Sequence, residues 1–179
     1  MANLKKLFGT EHPFLGDPGE WVVLGHGMYG EQLIRVPIEG KAVISHRKGK
    51  IINEGTMSVV SSTEPVTFSS RYELSLTDNS EILSFFQVNE ELGDMRGQVI
   101  VFDDRIISFY SSGDETVTGS EVFLKLGENR YTVTGGLYSA GFVVNLWKLD
   151  MVRQTKEEKP ESAPGDEMKA PDESSSGGS

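Results

Sequence analysis

Residues 66–76 alternate without a break. Val66, Phe68, Ser70, Tyr72, Leu74 and Leu76 share one side of an extended chain, and Thr67, Ser69, Arg71, Glu73 and Ser75 share the other. Side chains of a strand point alternately to opposite faces, so the pattern predicts a strand with one dry and one wet face. Thr77-Asp78-Asn79-Ser80 supplies turn formers, and residues 81–88 return as a second strand. The pair is a long antiparallel hairpin, and its pattern recurs on both sides. Further strands are expected at 19–29, 32–38, 41–46, 50–60, 97–102, 105–110, 121–126, 130–137 and 142–152. Loops of mostly two to six residues between them are the spacing of an antiparallel meander of about ten strands.

A meander this long has two edges that would pair with other chains unless they pair with each other. Closure into a barrel removes them, makes the first and last strands neighbours, and brings Trp21 toward Trp147, the two tryptophans of the chain. The fold class is therefore all-β, a closed barrel over residues 19–153. The lead-in, 1–18, has room for one helical turn at residues 4–8 before His12-Pro13 and Asp17-Pro18 stop it. Gly25, Gly27 and Gly30 on the first strand suggest a bend or a close approach. The segment 90–96 reads as a loop. From residue 154 the chain holds almost nothing apolar and is expected to be a disordered acidic tail.

Charge narrows the partners. Seventeen basic against 27 acidic residues give a net charge of −10, of which residues 156–179, with seven acids and three lysines, contribute −4. That balance argues against nucleic acid and against anionic membranes, since no excess of cations meets phosphate. No run of about 18 apolar residues and no signal-peptide core is present, which reads as a soluble, cytoplasmic protein. The absence of cysteine excludes thiolate nucleophiles and cysteine-based zinc sites.

Catalytic motifs fail one by one. Glu90-Glu91, Asp103-Asp104 and Asp114-Glu115 are adjacent pairs, which a strand would aim to opposite faces. No Gly-x-Ser-x-Gly elbow occurs, and Gly25-His26-Gly27 is not followed by a helix that would hold phosphate. His46 lies in the basic run 46–50, read as a solvated hairpin tip, and His12 lies in a loop. No catalytic residue, metal site or cofactor is assigned.

What remains is aromatic. Tyr29, Phe68, Tyr72, Phe86, Phe109 or Tyr110, Tyr138 and Trp147 fall on apolar faces, and a barrel of about ten strands encloses more volume than side chains usually fill. Tyr29, Phe68, Tyr72, Phe86, Tyr138 and Trp147 are the candidate ligand-binding residues. Arg71 joins them as a holder of a carboxylate if its face turns inward.

Gly19-Glu20-Trp21 opens the first long strand of this cysteine-free meander. It resembles the calycin group, which includes lipocalins, fatty-acid-binding proteins and nitrobindin-like barrels. The resemblance implies that Gly19 and Trp21 close one end of the barrel, with Trp21 under a basic side chain from near the last strand, either Lys148 or Arg153. It implies a non-enzymatic carrier of a small hydrophobic or amphipathic ligand. A nitrobindin-like barrel would hold haem through one histidine, and His26 is the one on a long strand, although parity turns it away from Trp21. The alternatives are a filled barrel that meets a protein partner or forms a homodimer, and a barrel isomerase.

Overall fold

The computed structural model describes residues 11–29, 32–59, 65–79, 81–88 and 93–154. The expected turn at residues 4–8 and the acidic tail beyond residue 154 lie outside them. A four-residue helix, α1 (Pro13–Gly16), precedes ten strands: β1 (Gly19–Tyr29), β2 (Ile34–Arg47), β3 (Lys50–Val59), β4 (Val66–Leu76), β5 (Ile82–Val88), β6 (Met95–Val101), β7 (Arg105–Ser112), β8 (Val117–Gly127), β9 (Arg130–Ser139) and β10 (Phe142–Arg153). Each strand pairs antiparallel with its neighbour in sequence, and β1 pairs with β10 to close the barrel. β4 has the bounds that the alternation gives it.

One expected break is absent. The strands expected at 32–38 and 41–46 are the single strand β2, Ile34–Arg47, because Glu39-Gly40 is not a turn. A Cβ on Gly40 would lie 2.3 Å from the Thr56 carbonyl oxygen on β3, so the glycine serves a close approach between strands. Likewise β1 runs unbroken through Gly25 and Gly27.

Register fixes which side chains face inward. Trp21 and Val23 on β1, Leu74 on β4, Leu83 and Phe85 on β5, Tyr131 and Val133 on β9, and Leu149 and Met151 on β10 are all buried. The alternate residues of the same strands, such as Leu24, Arg71, Ser84 and Asp150, lie outside or half-exposed.

Proline at the first turn starts α1, its fixed φ suiting a helix whose first N–H has no partner anyway. The helix plugs one end of the barrel. Phe14 stacks on Phe123 at 5.3 Å and meets the edge of Trp21 at 5.4 Å, and Trp21 meets Tyr131 at 5.6 Å. Such pairs add roughly 0.5–1.5 kcal/mol each beyond their buried area.

His12, expected in a loop, is fully buried beneath this plug. Its Nε2 donates to the Phe102 carbonyl at 2.5 Å, and its Nδ1 accepts from the Tyr131 hydroxyl at 3.2 Å, an arrangement that needs the neutral Nε2–H ring. His46 is not a free hairpin tip either: its Nε2 donates to the Leu15 carbonyl at 2.8 Å and ties β2 to the plug.

Candidate functional site

The plugged end is dry, and above it the interior opens into a cavity of about 370 Å³. Two rungs make the room. Trp147 on β10 pairs with Gly27 on one side and Gly135 on the other, and Tyr110 on β7 pairs with Gly97 and Gly119. Each large ring thus lies between positions that have no side chain. A Cβ on Gly135 would sit 2.7 Å from the indole of Trp147 and 2.8 Å from Cγ of Glu121. The glycine therefore lets indole and carboxylate meet over β9.

Glu121 points into the barrel from β8. Its Oε1 accepts from Trp147 Nε1 at 3.2 Å, and its Oε2 accepts from Ser108 Oγ at 3.5 Å. Desolvation penalises the charged form and raises the carboxyl to about 7, against the opposing pull of the two donors. Burial also raises the phenols of Tyr72 and Tyr110, and the nearby Glu121 charge adds to the effect on both.

The wall beside Glu121 is aromatic. Tyr72, Phe85 and Tyr110 form a row, Tyr72 tilted on Phe85 at 5.5 Å and Phe85 stacked on Tyr110 at 5.0 Å. Asn53, 4% exposed, donates its amide to the Tyr72 hydroxyl and leaves its carboxamide oxygen without a partner. An unpartnered buried amide oxygen costs roughly 1–3 kcal/mol, so this one is a standing acceptor at the cavity wall.

Of the residues singled out from sequence, Tyr29, Phe68, Tyr72 and Trp147 line the cavity. Arg71, Phe86 and Tyr138 do not. Arg71 lies on the wet face of β4, where it pairs with Glu54 at 3.3 Å and Glu73 at 3.1 Å. Phe86 faces out beneath the Arg96 guanidinium, 5.7 Å from its ring, because the register of the β4–β5 turn sends Phe85 inward. Tyr138 follows the inward Leu137 and borders a groove on the outer surface with Arg96 and Phe109. Tyr110, not Phe109, is the interior aromatic of its pair.

His26 also lies on the outer face and accepts from Arg35 Nη2 at 3.2 Å. Trp21 and Trp147 share neighbouring strands but are not in contact range: Trp21 pairs with Arg153 and Trp147 with Gly27. Six positions of strand separate them, roughly 20 Å at about 3.3 Å per residue. Arg153 is the basic side chain over Trp21, its guanidinium 6.0 Å from the ring, whereas Lys148 faces solvent.

Sequence reasoning did not find Glu121, Ser108 or Asn53. The signal for Glu121 was present in the alternation of Gly119, Glu121 and Phe123 on the dry face of β8. Among the described residues no group of three or more His, Asp or Glu side chains is placed to hold a metal ion.

No family model and no curated protein sequence matches the chain. Two solved structures share its fold. The S-type phycobiliprotein lyase CPES from Guillardia theta superposes with a TM-score of 0.61 at 9% identity, covering 79% of this chain and 90% of that one. Rv2717c from M. tuberculosis superposes with a TM-score of 0.64 at 11% identity, covering 87% and 99%. At these identities the likeness is one of fold.

Proposed function

We propose that this chain is a calycin-like barrel that binds a small hydrophobic or amphipathic molecule in its lumen. The single observation that carries the reading is the cavity itself, about 370 Å³ walled largely by aromatic and aliphatic side chains, with Asn53, Ser70, Gln87, Glu121 and Asn145 as its placed polar groups. Concave, mostly apolar sites with a small number of placed polar groups are where proteins take up small molecules. The fold likeness to a phycobiliprotein lyase is in keeping with a barrel that handles a small molecule. A barrel that served only as an interaction module would fill its lumen to gain packing, and this one pairs two of its lumen rings, Trp147 and Tyr110, with four glycines.

A second reading has a specific observation in its favour. A buried carboxyl raised to about 7 is suited to exchange a proton with a bound molecule near neutral pH, so the lumen also fits a reaction chamber of the isomerase type.

The test is native mass spectrometry of the purified full chain, repeated after denaturation. A co-purified molecule released intact on unfolding supports the carrier. A released mixture of isomers or products supports the reaction chamber. A clean protein mass, together with no uptake of a neutral alkyl probe such as octanol, moves the reading to an interaction module.

A further inference from the structure

The lumen reading leaves open what sort of molecule fits, and the polar groups inside narrow it. Glu121 is the one side-chain charge facing the cavity among the described residues. Lys41 borders the same space, but it alternates to the outer face of β2 between Gly40 and Ala42 and is exposed. A carboxylate offers about four lone-pair directions, and the protein supplies donors for two, one of them long at 3.5 Å. Among the described residues no lysine or arginine pairs with it. The Asn53 carboxamide oxygen adds a second acceptor without a donor, and Asn53 is more than nine-tenths buried.

Ser70, Gln87 and Asn145 also line the space, but none is charged, so the interior is short of positive charge and rich in π faces. Tyr72, Phe85, Tyr110 and Trp147 present rings to the space beside the carboxylate. A ligand carboxylate placed there would set two like charges together in a low-dielectric site. A neutral alkyl ligand would leave the Asn53 oxygen without a donor and the Glu121 charge without an ion partner. A cationic nitrogen meets all three features, as an ion partner, an N–H donor and a cation over aromatic faces.

Resting on the lumen reading, we propose that the barrel selects a cationic amphiphile: a protonated amine donating to Glu121, with the apolar body along the aromatic wall toward Tyr29 and Phe68.

The test uses three probes of equal chain length, octylamine, octanol and octanoate, titrated calorimetrically into the full chain at about pH 8, where Glu121 is ionised. The expected result is that octylamine binds at least about tenfold more tightly than octanol and octanoate binds weakest, as one charge-assisted hydrogen bond replaces none. In Glu121→Gln, which keeps the side-chain shape, the preference for the amine over octanol disappears.

A readout on the unmodified protein guards against a variant that does not fold. The octylamine preference of the wild type falls as pH drops below about 6, because Glu121 takes up a proton. The titratable side chains facing Glu121 are the phenols of Tyr72 and Tyr110, both raised by burial and neutral throughout that range.

If octanol or octanoate binds the wild type as tightly as octylamine, the cationic selection is wrong and the lumen reading stands. The same holds if Glu121→Gln keeps the preference. If none of the three probes binds the wild type, the lumen reading fails and this inference fails with it.

Discussion

Trp21 and Arg153 face each other across the β1–β10 seam, the guanidinium 6.0 Å from the indole while its Nη2 donates to the Pro18 carbonyl at 2.9 Å. The same side chain lies over Gly19, where a Cβ would come within 2.9 Å of Arg153 Nε. One arginine therefore ties the first strand, the last strand and the segment entering the barrel.

Arg153→Ala removes this cation–π contact, the carbonyl hydrogen bond and the packing of the arginine stem, and is expected to lower stability by about 1–2 kcal/mol. Lys148→Ala, on the solvent face of the same strand, is expected to stay within about 0.5 kcal/mol of wild type. Urea unfolding of the two variants checks the contrast, and equal losses would remove Arg153 from this role.

His12 lies buried and neutral, its pKa lowered chiefly by desolvation. Below about pH 6.5 the unfolded chain binds a proton at this position that the folded chain does not, so the stabilising contribution is present above that pH and fades as pH falls. Replacing His12 by Ala removes the donor to the Phe102 carbonyl and leaves the Tyr131 hydroxyl only its backbone partner at Phe14, with an expected loss of roughly 1–3 kcal/mol at neutral pH. Unfolding curves between about pH 5 and 8 should show the variant with a flatter response than wild type over the acid half of that range.

Glu121 has the opposite sign. Its folded pKa of about 7 lies above the ordinary carboxyl value of 4.5, so between those values the folded state holds a proton that the unfolded state has released. Stability from this group is complete at acid pH and declines as pH rises through neutrality, by up to about 3 kcal/mol, less to the extent that cavity water solvates the carboxylate. Glu121→Gln is expected to abolish that decline. A variant whose stability falls from about pH 5 to 8 as steeply as wild type would count against a buried carboxyl in the lumen.

Gly135→Ala tests the arrangement that makes the cavity. The added methyl, 2.7 Å from the indole and 2.8 Å from Glu121 Cγ, forces Trp147 away from β9 and breaks its bond to the carboxylate. Stability is expected to fall by roughly 1–3 kcal/mol, and octanol uptake by at least about tenfold as the ring moves into the lumen. Retained uptake with an unshifted Trp147 fluorescence would show that the ring does not depend on the glycine.

Alternation alone, visible in residues 66–76, was sufficient to place Phe68 and Tyr72 inside. Register slips by one residue would expose the whole apolar set, so parity is strongly specified wherever one face is dry. The same rule turns Arg71 outward, and the wet composition of Thr67, Ser69 and Glu73 already states it. Phe85-Phe86 and Phe109-Tyr110 are different, because adjacent aromatics satisfy either parity. The backbone pairing of β5 with β4 and β6, and of β7 with β6 and β8, settles those.

The sequence by itself determined an all-β meander and the inward face of each strand whose two faces differ in polarity. Tertiary structure decided the rest. Closure of β1 on β10 chose Arg153 over Lys148, since only one of them shares Trp21's face. It drew His12 out of a nominal loop into the plug, and it converted Gly25 and Gly27, which read as bends, into close approaches to the Lys148–Leu149 backbone and the Tyr29 ring. The chemistry of Glu121 was decided last, because desolvation depends on every strand that surrounds a carboxyl and on none of its neighbours in sequence alone.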